Sequence, residues 1–125
     1  MSSARNNEKN VARLIEEYAE AAAAHGKASS DGDYKKANRN HDIIADVRCE
    51  LMERGDEGKT ALLDLLTHPD PSVRTWAAAH SLQFDAQRAE ATLVEVAQSD
   101  AGIVSFAAEM TLEQWKKEEL SFPER

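Results

Sequence analysis

Apolar residues along this chain return every three or four positions and never alternate over a useful length, so the pattern predicts helices and no strand. Val11, Leu14, Ile15, Tyr18, Ala19 and Ala22 form the first stripe, with Arg13, Glu16, Glu17 and Glu20 on the other side. Residues 25–33 carry Gly26, Ser29, Ser30 and Gly32, which is turn chemistry, and are expected to be a loop. A second helix is predicted over 34–54, with Ala37, His41, Ile44, Val47 and Leu51 along one side and Gly55 as its stop.

The stretch 60–84 is the most informative. Leu62, Leu65 and Leu66, widened by Leu63, predict a short helix from about Lys59 to His68, where the residue before Pro69 is pushed out of helical backbone space. Asp70 is placed as an N-cap with Pro71 at the first helical position, which opens a fourth helix striped by Val73, Trp76, Ala77, His80 and Phe84. A fifth helix follows Asp85 and the 87–90 segment, with Leu93, Val94, Val96 and Ala97 inward, and Gly102 turns the chain into a sixth over 103–119.

The last four helices read as two copies of one unit. Leu62, Asp64 and Leu65 match Leu93, Glu95 and Val96, and Val73, Trp76, Ala77, Ala78 and Leu82 match Ile103, Phe106, Ala107, Ala108 and Leu112. On that alignment His80 takes the place of Met110, and Trp76, like Phe106, is expected in the core. Self-similarity at about 30 residues is the mark of stacked helical repeats, each unable to bury its apolar face alone.

The turn aspartate Asp70 and the Val73-Arg74 pair opening the second helix resemble a HEAT-type repeat. The run from Leu65 to Leu82 and the ending from Ser105 to Lys117 are similar to a family of small bacterial helical-repeat proteins without assigned activity, the domain of unknown function 2019 type. The resemblance implies an all-α superhelix of about three antiparallel hairpins and carries no catalytic residue. The expected organisation is one domain, with a hairpin over 1–54, two HEAT-like repeats over 58–117 and a loose tail over 118–125.

Charge narrows the choice of partner. The formal net charge is −8. Residues 55–125 hold six Lys and Arg against thirteen Asp and Glu, and residues 1–54 hold nine against ten, so the repeat half is the acidic one. Nucleic acid needs clustered positive charge; the most basic run, Lys35, Lys36 and Arg39, is flanked by Asp31, Asp33 and Asp42 and reads as a solvated helix face. The first ten residues lack the apolar core of a signal peptide, no run is long enough to span a bilayer, and the single Cys49 fits a reducing interior, so a cytoplasmic protein is expected.

Candidate chemistry is sparse. His41, Asp42, Asp46 and Cys49 share helical spacing but include no second histidine, and Lys36 sits where a calcium loop starting at Asp31 requires glycine. No nucleophile elbow, zinc-binding His pair or phosphate-binding glycine loop is present. The expectation is therefore a non-catalytic protein-interaction module without cofactor, docking a basic protein partner and, in its sharpest form, an immunity protein neutralising a basic toxin. Asp64, Glu95, Glu109 and Glu113 are its candidate contacts, with Trp115 read either as an exposed anchor or as a cap on the open end of the core. The alternatives are a housekeeping adaptor and a protein that binds a small ligand in a groove between hairpins.

Overall fold

The computed structural model describes residues 9–122. The expected frayed start over 1–8 and the end of the tail over 123–125 lie outside them. Six α-helices and no strand are present among the described residues: α1 (Val11–Asp31), α2 (Tyr34–Glu53), α3 (Asp56–Asp64), α4 (Pro71–Ser81), α5 (Ala86–Gln98) and α6 (Ile103–Lys116). A short 3-10 turn, Leu65–Thr67, extends α3.

The caps explain most boundaries. Asn10, Asp33, Asp70 and Asp85 each accept a backbone N–H of the helix that follows, satisfying donors that have no partner within the helix. His68 is extended, at φ −63° and ψ 143°, as the residue before a proline must be. Helix α3 starts at Asp56, earlier than the apolar pattern suggests, because its first turn is acidic and suits the positive end of the helix dipole.

Three other boundaries differ from expectation. Helix α5 starts at Ala86 and takes in the 87–90 segment. The segment 25–33 is not a loop: α1 runs through it to Asp31 and ends only at Gly32, whose φ of 76° supplies the left-handed cap. Gly26 and the serines are helical because this part of α1 lies against α4. A Cβ on Gly26 would stand 2.5 Å from Ser72 Oγ and 2.6 Å from Ser72 Cβ, so the residue is small to admit a neighbour rather than to turn the chain. At the other end α6 stops at Lys116, short of the predicted residue 119. Glu118 adopts φ 60°, and the amide of Glu119 bonds to the Gln114 carbonyl at 2.8 Å, closing the helix in a left-handed turn.

Helix α4 is the centre of the molecule. It packs against α1, α3, α5 and α6, and all of it except Pro71, Arg74 and Trp76 is buried. One continuous core results, with Leu14, Tyr18 and Ala22 from α1, Ile44 and Leu51 from α2, Leu62 from α3, Val73, Ala77 and Ala78 from α4, and Leu93 and Val96 from α5. Each large aliphatic chain removed from water in this way contributes about 1.5–3 kcal/mol. The polar groups on α4 are satisfied as burial demands: Ser81 Oγ donates to the Ala77 carbonyl, Thr75 Oγ1 to Pro71 and Ser72 Oγ to Ala22 across the helix interface.

The two repeat copies agree in part. Leu62 and Leu93, Leu65 and Val96, Ala78 and Ala108, and Leu82 and Leu112 are buried in both. Val73 and Ala77 are buried, whereas their counterparts Ile103 and Ala107 are not, and Phe106 is 61% exposed where Trp76 is half-buried. The expectation that the Trp76 and Phe106 positions are both core is therefore corrected. Helix α4 packs against α1, α3, α5 and α6, whereas among the described helices α6 packs against α1, α4 and α5 and leaves one flank uncovered.

Candidate functional site

Two features adjoin on α6. The first is a cleft of about 360 Å³ between the C-terminal half of α1, α4 and α6. Its walls are His25, Gly26 and Ser29 of α1, Ser72, Thr75, Trp76 and Ala79 of α4, and Ile103, Val104, Ala107, Thr111 and Gln114 of α6, with Leu120 and Phe122 closing one end. The cleft exists because small residues face one another there, where larger ones would let the helices fill the space.

The tail expected to be loose takes part in it up to Phe122. After the turn at Glu118 the chain folds back, and the Phe122 ring lies edge-on to His80, with ring centres 4.5 Å apart, and 5.2 Å beneath the Arg48 guanidinium.

Behind the cleft runs a set of rings. The Tyr18 hydroxyl and His80 Nδ1 are 2.7 Å apart and buried. Trp76 lies 5.6 Å from His80, 5.1 Å from His25 and 5.7 Å from His41 between ring centres. Burial, reinforced by the positive charges of Arg48 and His41, lowers the His80 pKa to about 3, so the ring is neutral at physiological pH. Burial likewise raises the Tyr18 phenol well above its usual 10, and it stays protonated. A buried phenol needs an acceptor for its proton, so Tyr18 donates to Nδ1 and the imidazole proton of His80 resides on Nε2. His25 is also shifted down, by burial and by His41.

The second feature is the outer flank of α6. Ile103, Phe106 and Met110 are 46%, 61% and 37% exposed and recur at intervals of three and four, so they form one apolar strip facing solvent. Glu109 and Glu113, two of the sequence-predicted contacts, are exposed one turn apart beside Phe106.

The other predicted residues are separate from this strip in the chain. Asp64 is exposed at the end of α3 and Glu95 is exposed on α5. Trp115 is half-buried, and its Nε1 donates to Glu90 Oε2 at 2.7 Å, so it closes the α5–α6 hairpin, the capping role, rather than standing free. Sequence reasoning did not find the exposed strip, because Ile103 and Phe106 were matched to positions that are covered in the first copy. It also missed the cleft. The available signal was the facing set of small residues, Gly26, Ser72, Ala79 and Ala107.

Among the described residues no three His, Cys, Asp or Glu side chains lie together in a way that could hold a metal ion, and no helix is long and apolar enough to cross a membrane.

Residues 12–115 match the family described as a domain of unknown function, DUF2019. The chain belongs to that family. Comparison with curated proteins finds no match. Among solved structures, the chain is similar to the crystal structure of the protein RPA1889 from Rhodopseudomonas palustris CGA009, with 23% identity, a TM-score of 0.83, and coverage of 91% of this chain and 94% of that one. At that identity the likeness speaks for the six-helix fold. The family brings no activity and no functional residue to the cleft or to the α6 flank.

Proposed function

We propose that this DUF2019 chain is a non-catalytic protein-interaction module that docks a basic partner on the outer flank of α6, with an immunity protein against a basic bacterial toxin as its sharpest form. The observation that carries the reading is the exposed apolar strip Ile103, Phe106 and Met110 with Glu109 and Glu113 beside it. A helix that keeps large apolar groups in water forgoes about 1 kcal/mol or more for each of them, which favours a partner that covers them. Acidic residues at the edge select positive charge and speed encounter, while the apolar strip slows release. A positively charged amphipathic helix fits both.

Affinity capture from the native host supplies the partner, and stopped-flow mixing at two ionic strengths tests the mechanism. Glu109→Lys with Glu113→Lys should slow association and flatten its salt dependence while leaving the Tm unchanged. Phe106→Asp should leave association fast and hasten dissociation. Indifference of both rate constants to these changes would refute the reading.

A further inference from the structure

We propose that the cleft between α1, α4 and α6 is a binding site for a small, uncharged, largely apolar molecule carrying a hydrogen-bond donor. Its volume of about 360 Å³ falls within the roughly 300–1,000 Å³ of ordinary ligand sites. The cleft is open to solvent on one side, and three helices share in forming it, with Gly26, Ser72, Thr75, Ala79 and Ala107 as its small wall residues.

The chemistry of the wall selects the ligand class. No Asp, Glu, Lys or Arg lines the cleft, so a charged ligand would lose its water without gaining a counter-ion. His25, the titratable group on the wall, is held towards its neutral form by burial. Three wall hydroxyls have already committed their protons to backbone carbonyls: Ser72 to Ala22, Thr75 to Pro71 and Thr111 to Ala107, each at 2.8 Å. What they can still offer is oxygen lone pairs, which accept and do not donate. A ligand that brings an O–H or N–H to one of these oxygens, on α4 or on α6, and a flat hydrocarbon body to Trp76 and Phe122, matches the wall on both counts.

The test uses the full chain and the uncharged probe N-phenyl-1-naphthylamine, followed by its fluorescence and by energy transfer from tryptophan. Saturable binding of one probe per chain is expected, with competition by 1-naphthol stronger than by naphthalene. Competition by 1-naphthoate should be weaker than by 1-naphthol by about tenfold or more, the cost of burying an unpaired charge. Ala107→Trp or Gln114→Trp, at exposed wall positions that can fill the cleft without entering the core, should abolish saturable binding with helicity and Tm retained. Phe106→Ser, outside the cleft, should leave it intact.

Absence of saturation up to the solubility of the probe would overturn the proposal. So would loss of binding in Phe106→Ser with binding kept in both tryptophan variants, since the probe would then be adhering to the α6 flank. Competition by naphthoate equal to that by naphthol would overturn the ligand class. The docking reading is tested by partner association and dissociation rates at Glu109, Glu113 and Phe106, and the cleft by probe binding at Ala107 and Gln114, so either can fail alone.

Discussion

Stability below neutral pH should depend chiefly on His80, the more deeply buried of the two histidines whose pKa is lowered. Its folded-state pKa is about 3 against the usual 6.5, so the unfolded chain takes up a proton at this residue over the whole interval while the folded chain does not. For a group depressed in this way, the stabilising contribution is complete above pH 6.5 and is lost as the pH falls towards 3. Each unit inside the interval is worth about 1.4 kcal/mol, so acidification from neutrality to about pH 5 should remove about 2 kcal/mol through His80 alone. The structural cause is specific. A proton on Nδ1 would break the acceptance from Tyr18 and place a buried positive charge near that of Arg48. The assay is urea denaturation of wild type and His80→Asn at several pH values. Asparagine can still accept from Tyr18 and does not titrate, so its cost should be a constant offset, and the gap between the two curves should narrow by about 2 kcal/mol on going to about pH 5. Curves that fall in parallel would refute the reasoning.

Other substitutions test the packing. Gly26→Ala should destabilise by about 1–3 kcal/mol despite the better helix propensity of alanine, because the added methyl meets Ser72 at its Cβ as well as its Oγ; a thermal melt suffices. Trp115→Phe should cost about 1.5–3 kcal/mol if its bond to the Glu90 carboxylate fastens α5 to α6, and Glu90→Gln should recover part of that in a double-mutant cycle. Phe106→Ser should leave the Tm within about a degree of wild type, whereas Trp76→Ala, removing a half-buried ring that touches three imidazoles, should lower it by several degrees. Equal effects of the last pair would restore the equivalence of the two repeats.

The helices were legible because their signals are local. Asp70 followed by Pro71 announces a helix start, and a residue before Pro69 announces an end, without reference to anything distant. Gly26 was misread for the opposite reason: its meaning depends on Ser72, which the sequence does not show to be a neighbour. The same holds for Phe106. Its apolar character places it on the striped side of α6, but whether that side is covered depends on whether another layer follows, and α6 is the last described helix. His80 stood out as a titratable residue in an apolar stripe, and its partner Tyr18 could not be paired with it from spacing alone. The cleft was the least legible feature, since empty space is defined by residues on three helices at once.

The central position of α4 sets an order on synthesis. The side of α1 bearing Tyr18 and Ala22 lacks its α4 partners when the ribosome has released α1 and α2, because Ala22 is met by Ser72, 50 residues on, and Tyr18 by His80, 62 residues on. Helix α4 in turn cannot be enclosed until α5 and α6 leave the exit tunnel, because it touches all of them. Nascent chains arrested before about residue 98 should therefore be helical yet open to protease, and resistance should arise in a single step near full length.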